Sequence, residues 1–389
     1  VKKLKIYLSS GSVPTIPQML DFASCAYDMS VMKIICWYRN ELTPFQLKGT
    51  NAFYFRQPYA VSNDFVEKLM NVITAIRPLE VEVHSNIVFT NVELYRVIAC
   101  ISKVLHKDQI KIHLYDDGIR SIGERLELNR LNKKEFSEIQ NSCQKYLDVI
   151  LKHETNPFAD YLRTSWPVLM HYSWHKFYNV TYHLMNQHDN LTSSGTTPFY
   201  KHIQKNTCTL KHADITSTDH KSLALCLSLL NLNISTINEI KKELKHENSL
   251  LYMGAGFFNR EKDDFITEKQ VAKINRMKCS GVIKNNDKIF FKAHPINHID
   301  NRRKIIEVLG DNVYTLPNHI PFEILPVIGL SPTEIICSFS TLLFTMQPTA
   351  FRHIIGSADT TRESLKEPLI NGLIKANILK GEIVSGWLD

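Results

Sequence analysis

The stretch Ile110-Lys111-Ile112-His113-Leu114-Tyr115-Asp116-Asp117-Gly118 decides the fold class. Ile110–Tyr115 reads as a strand. Two acids and a glycine then close it and turn the chain toward the next element. The same kind of unit recurs upstream. Leu4–Leu8 is a short apolar strand, Ser9-Ser10-Gly11-Ser12 a turn, and Pro14–Phe22 the start of a helix. Val31–Trp37 is the next strand. Val81 and Val83 alternate with Glu82 and His84 in another that ends near Asn86, and Val88–Leu105 has helical 3–4 spacing. A helix-rich stretch runs from Lys133 to about Leu162, and 187–197 reads as a loop. Ser222–Leu232 and Ile237–Lys245 read as helices. A second series of strands starts at Leu250–Met253 and continues at Lys288–Lys292 and Glu334–Cys337, with Leu342–Met346 continuing the chain beyond the turn after the last of them. Strand–helix repetition of this length predicts parallel sheets flanked by helices. Two such series predict two α/β domains around a central cleft, with ligands at the carboxyl ends of the strands.

Length and composition agree. A chain of 389 residues suits two domains, and 44% hydrophobic with 22% charged residues is ordinary for a globular protein. The eight cysteines include no C-x-x-C pair and read as reduced thiols. The formal charge of +7 is spread along the chain, at Lys2, Lys3 and Lys5 and again at Lys241, Lys242 and Lys245. It favours anionic ligands or peripheral contact with an anionic membrane. No zinc-finger spacing or arginine stripe points to nucleic acid. No apolar run is long enough to span a bilayer. No signal-peptide pattern is visible at the start, so the expected location is the cytoplasm.

Four places after strands carry candidate chemistry. Asp116-Asp117-Gly118 fits a solvent-exposed or helix-capping turn, or a carboxylate placed to take a proton from a hydroxyl. Phe290-Phe291-Lys292-Ala293-His294-Pro295 delivers a lysine and a histidine one residue apart. These fit a buried hydrogen-bonded pair, or a cationic grip on a phosphate whose departing oxygen histidine could protonate. Ser338-Phe339-Ser340-Thr341 sets hydroxyls at a strand-to-helix turn, where an anion could bind. Glu323 fits a first-turn acid or a partner for ribose hydroxyls. Nicotinamide, P-loop and nucleophile-elbow motifs are missing from the sequence. His294 and His298 lack the glutamate of a zinc-protease helix.

Taken in order, these pieces resemble the bacterial sialyltransferases of glycosyltransferase family 80. The resemblance runs through Tyr7-Leu8, Val13-Pro14, Met19-Leu20-Asp21-Phe22 and His84-Ser85-Asn86 to Leu114-Tyr115-Asp116-Asp117-Gly118. It resumes at Pro167-Val168 with His171, then at Phe291–Pro295, Phe322-Glu323 and Ser340-Thr341. It implies a glycosyltransferase B type fold: a Rossmann-like acceptor-side domain at 1–165 and a Rossmann-like nucleotide-donor domain at 166–374. The tail 375–389 is expected to pack back on the first domain. It also implies inverting transfer of sialic acid from CMP-N-acetylneuraminate to a terminal galactoside, with neither metal nor cofactor. Asp117 matches the catalytic base, and His294 matches the phosphate-contacting histidine and general acid. Asn86, Gly118, Lys292, Glu323, Ser340 and Thr341 match the donor side, and Phe258 the aromatic platform for the acceptor.

Four positions depart from the family pattern. Ala293 stands for a glycine, Thr341 for a serine, and Ile119 for a serine after the acid pair. Phe258 stands for a tryptophan and lacks its indole N–H. The donor side is therefore kept and the acceptor side altered. The α-2,3 or α-2,6 linkage stays open, and a lipooligosaccharide is the expected acceptor. Transfer of another CMP-activated ulosonic acid, or a noncatalytic nucleotide- or carbohydrate-binding homologue, are the alternatives.

Overall fold

The computed structural model describes the chain except residues 1, 10, 39, 57–62, 88–90, 154–166, 186–196, 211–218, 245–247, 326–328, 331, 346–347, 357–367, 376–378 and 387–389. The loop expected at 187–197 lies almost wholly outside the described residues. The chain forms two compact units, Val1–Leu229 and Leu230–Asp389.

The first unit is built on seven parallel strands in the order β3-β2-β1-β4-β5-β6-β7. They are β1 Lys3–Ser9, β2 Val31–Trp37, β3 Ala52–Tyr54, β4 Glu80–Asn86, β5 Ile110–Tyr115, β6 Asn179–Met185 and β7 Thr207–Leu210. The unit therefore extends well past residue 165, because β6 and β7 complete the sheet beside β5. The strand order reverses between β1 and β4, the place where open α/β sheets bind ligands.

The two faces of this sheet differ in chemistry. Leu4, Ile6, Val81, Val83, Ile110, Ile112, Leu114, Tyr182 and Leu184 pack into one apolar core. Each such side chain contributes about 1.5–3 kcal/mol on burial. Between them point Lys3, Lys5, Glu82, His84, His113 and His183. A buried parallel sheet normally reads as a continuous apolar run; here charge pairing makes the polar face tolerable. The Lys5 ammonium lies 2.7 Å from Asp21 and 3.3 Å from Glu82, and Lys3 contacts Glu80 and Glu82. Tyr7 donates to Asp21 at 2.7 Å.

The second unit is a six-stranded parallel sheet in the order β10-β9-β8-β11-β12-β13. Its strands are β8 Ser249–Met253, β9 Lys288–Lys292, β10 Val313–Thr315, β11 Glu334–Ser338, β12 Phe351–Ile355 and β13 Val384–Ser385. Leu250-Leu251-Tyr252, Ile289-Phe290-Phe291 and Ile335-Ile336-Cys337 are buried on both faces, the usual parallel-sheet pattern. The order reverses between β8 and β11. The tail does not stand apart from this unit: β13 pairs with β12, and Gly356 N–H donates to the Ser385 carbonyl. A helix spans Arg260–Cys279 and another Ile299–Leu309. Among the described residues no single helix is long and apolar enough to cross a membrane.

The polar face sets the acid stability of the first unit. Burial alone would raise the Asp21 and Glu82 carboxyls. Nearby His84 and the lysines outweigh burial and hold both below the ordinary carboxylate range. A depressed folded value contributes stability that is present above the unfolded value, about 4, and is lost as pH falls through the folded one. Thermal melting between about pH 5 and pH 2 should show a falling midpoint, with a shallower fall for Glu82→Gln. An equal slope in the variant would contradict this.

Candidate active site

The two adjacent acids after β5 have separate surroundings. Asp116 is fully buried. Its Oδ2 accepts from Arg125 Nη2 at 2.7 Å and from the Met185 N–H at 2.9 Å, and its Oδ1 accepts from the Ser121 hydroxyl. Its own N–H donates to the His183 carbonyl at 3.0 Å. One carboxylate thus joins β5, the helix Ile119–Arg130 and the end of β6. Arg125 also reaches the Tyr172 hydroxyl at 3.4 Å. Burial would lower the Arg125 pKa; Asp116 more than compensates and raises it.

Asp117 is half-buried. Its N–H donates to Ser121 Oγ at 3.1 Å, which fixes the backbone, while Asn86 Nδ2 donates to its Oδ1 at 2.6 Å. Asn86 is the last residue of β4, beside β5, so the sheet register delivers the pair. Gly118 follows as the N-cap of the helix, with φ 90° and ψ −136°. A side chain there would be strained, so the glycine lets the chain turn at once from the acid into the helix. Gly11, after β1, also borders the site: a Cβ on it would lie 3.6 Å from Asp117 Oδ1.

In the second unit the expected residues follow adjacent strands. Lys292 ends β9 and is 4% exposed, and its ammonium donates to the Asn318 carbonyl at 3.0 Å. Burial lowers its pKa to about 8, against the opposing pull of Glu323 and with a further push from Arg302. Glu323, in the short helical turn Phe322–Ile324, is therefore close enough to act on Lys292. His294 is half-buried just after β9, and the Ile296 N–H donates to its Nδ1 at 3.4 Å. That contact leaves Nε2 as the protonated nitrogen of the neutral ring. Ser340 and Thr341 follow β11, where the Leu343 N–H donates to the Ser340 carbonyl and the Phe344 N–H to that of Thr341. Phe258 follows β8 and is 71% exposed, so it does not serve as core packing.

Sequence reasoning missed Arg125, which holds Asp116, and Arg302, whose guanidinium donates to the Asn297 carbonyl at 2.7 Å. Nothing in the local sequence marks either, because each acts across elements. A third group lies on the polar face of the first sheet. Glu82, His84 and His113 bring donor atoms within 4.8 Å of one another, a spacing that could hold a metal ion. The Lys5 ammonium already balances Glu82 and Asp21 there. His84 Nδ1 is 2.9 Å from the Tyr115 hydroxyl and His113 Nδ1 is 3.0 Å from His183 Nε2. Burial holds His113 and His183 at about 3 and about 4, so both rings are neutral at physiological pH.

The surroundings predict opposite outcomes for the two acids. Asp116→Ala strands a buried guanidinium and should destabilise by about 3–5 kcal/mol. Asp117→Ala should leave the melting temperature nearly unchanged. Thermal melts of both variants check this, and equal losses would contradict the division of roles.

The comparisons with known proteins bear on the same scaffold. The chain is similar to an α/β-galactoside α-2,3-sialyltransferase from Photobacterium phosphoreum, at 20% identity and TM-score 0.80, over 100% of this chain and 99% of that one. It is similar to a 2,6-sialyltransferase from Photobacterium sp. JT-ISH-224, solved with the donor product CMP and the acceptor substrate lactose. There the identity is 20% and the TM-score 0.83, over 100% of this chain and 79% of that one. The GT-B domain of a Photobacterium damselae sialyltransferase matches at 18% identity and TM-score 0.81, over 99% of each chain. These likenesses establish the glycosyltransferase B type fold. No curated protein sequence matches the chain. The family model described as sialyltransferase PMO188 matches residues 4–377, nearly the whole chain, and the chain therefore belongs to that sialyltransferase family.

Proposed function

We propose that the protein is an inverting, metal-independent sialyltransferase. It moves sialic acid from CMP-N-acetylneuraminate to a terminal galactoside, with a lipooligosaccharide as the natural acceptor. The observation that carries the mechanism is the separation of Asp116 from Asp117. The first is consumed by Arg125, Ser121 and the Met185 N–H. The second is half-buried, backbone-anchored and oriented by Asn86.

In this reading Asp117 takes the proton from an acceptor hydroxyl. The oxygen forms a bond to the anomeric carbon of the sialyl group through an oxocarbenium-like transition state. The bond to the phosphate oxygen breaks, and CMP departs from the opposite face with the electron pair. Lys292 supplies positive charge to the phosphate, and His294 donates a hydrogen bond from Nε2 to the departing oxygen, which leaves on CMP with the electron pair. Ser340 and Thr341 offer hydroxyls, and Glu323 binds the ribose. Placing charge where the leaving group gains it lowers the barrier. A monophosphate leaving group handled in this way needs no metal. The solved relative with CMP and lactose bound supports a cytidine donor and a galactoside acceptor. The cytoplasmic side, where activated sugars are made, is the proposed location, with peripheral contact to anionic lipid through the basic balance.

Activity is tested by incubating CMP-N-acetylneuraminate, and in parallel other CMP-activated ulosonic acids, with lactose, N-acetyllactosamine and a lipid-linked oligosaccharide. CMP release and sialoside formation should accompany the first donor and persist after chelation. Loss on chelation with recovery on one divalent ion would overturn the metal-independent account. Asp117→Ala should lower transfer by about 10²–10⁴ while CMP still binds; near-normal turnover would remove Asp117 from the role of base.

Lys292 gives a separate test. Its lowered value means that the free enzyme loses this cation as pH rises through about 8. CMP affinity should therefore decline above that pH. Lys292→Met should bind CMP about tenfold more weakly at pH 7 and lose the alkaline decline. Calorimetric titration at several pH values reads both, and an unchanged pH profile in the variant would contradict the assignment.

A further inference from the structure

One fully buried carboxylate in the second unit is used by no step above. Asp263 lies in the first turn of the helix Arg260–Cys279 and is 0% exposed. Its Oδ1 accepts from the Phe257 N–H at 2.9 Å and from Asn297 Nδ2 at 3.0 Å. Its Oδ2 accepts from the His298 N–H at 2.9 Å and from Asn301 Nδ2 at 2.7 Å. Burial works against ionisation. The His298 and Phe257 N–H groups and the two amides outweigh it and hold the carboxyl below its ordinary range.

Asn301 belongs to the helix Ile299–Leu309; the other three donors come from two loops. Phe257 belongs to the loop after β8, which ends in the exposed ring of Phe258. Asn297 and His298 belong to the loop after β9, which begins with His294, and the Asn297 N–H closes that turn on the His294 carbonyl at 3.0 Å. The loops also touch directly. A Cβ on Gly256 would lie 2.8 Å from Asn297 Cβ and 2.9 Å from its Cα, so only glycine admits this approach. Gln270, one helical stretch further along, donates to the Ala255 carbonyl at 3.0 Å and accepts its N–H at 2.8 Å. The loop after β8 is thus pinned to the helix at two points, and the loop after β9 shares one of them.

We propose that Asp263 is a positioning residue for transfer: it locks the Phe258 loop to the His294 loop, fixing the spacing between the sugar platform and the phosphate-contacting histidine. This rests on the roles proposed above for Phe258 and His294. Of the nucleotide contacts only His294 lies in an anchored segment; Lys292 and Glu323 lie outside both. Loss of the lock therefore affects alignment of the acceptor far more than grip on CMP. Misplacement on the scale of an ångström can cost about 10²-fold in rate.

The test uses Asp263→Asn and the milder Asn297→Ala, each against the wild-type chain. With CMP-N-acetylneuraminate and lactose, transfer should fall by about 10–100-fold. The ratio of donor hydrolysis to transfer should rise about tenfold, and CMP affinity should change by less than about threefold. Amide hydrogen exchange should speed up in 254–258 and 294–298 and stay unchanged in the strands. Transfer and exchange both at wild-type levels in a folded variant would overturn the proposal, as would a loss of CMP affinity equal to the loss of turnover. If Asp263→Asn fails to fold, Asn297→Ala decides. If the wild-type chain itself transfers nothing from this donor, the proposed function has failed. Exchange in the two loops then still decides whether Asp263 locks them.

Discussion

The first unit depends on burying one ion pair well. Asp116 and Arg125 meet in the interior at 2.7 Å; a backbone N–H and a serine also donate to the carboxylate, and the guanidinium reaches a tyrosine hydroxyl. An uncompensated charge at that depth would cost several kcal/mol. Held in this way, the pair fixes where β5 ends, where the next helix starts and where β6 stops. The neighbouring Asp117 inherits that rigidity. It sits one residue beyond the anchor, with its N–H tied to the same Ser121 and its Oδ1 held by Asn86. Adjacent identical residues thus do different work because one side chain is turned into the fold and the next is turned out of it.

The second unit solves a different problem with different materials. Its central strands β8, β9 and β11 are apolar on both faces, and their charged groups sit where the strands end. Lys292 is the exception that carries meaning. A lysine ammonium that is 4% exposed is held by one carbonyl and by the field of Glu323. Its lowered pKa records incomplete compensation. An arriving phosphate would supply the missing negative charge, which gives the site a reason to bind an anion even before the shape of the ligand is considered. Family membership and the fold support this reading, and the residues supply its chemistry.

Much of this was legible in the sequence. The strands at Val31–Trp37 and Ile110–Tyr115 are where periodicity puts them, because an apolar run bounded by turn residues carries its own signal. Others were not. β3, β6, β7, β10 and β13 are short or polar, and their identity comes from the neighbouring strand rather than from local pattern. Thr207–Leu210, for example, is a strand because β6 offers it a ladder. The domain boundary expected after residue 165 missed these added strands for the same reason. Motifs located the acid pair and the lysine–histidine pair, but could not say which aspartate is structural. That distinction lives in Arg125 and Met185, nine and sixty-nine residues away from Asp116. Asp263 was invisible for a similar reason: it reads as a first-turn acid, and its partners come from the loops after β8 and β9 and from the helix Ile299–Leu309.

The central claim is that this chain joins a sialyl group to a sugar hydroxyl with inversion at the anomeric carbon. The most direct measurement is NMR of the product formed from CMP-N-acetylneuraminate and a galactoside. The account predicts equal amounts of free CMP and of a sialyl galactoside whose anomeric configuration is opposite to that of the donor. A product with retained configuration, or CMP released with free sialic acid and no glycoside under any acceptor, would contradict it.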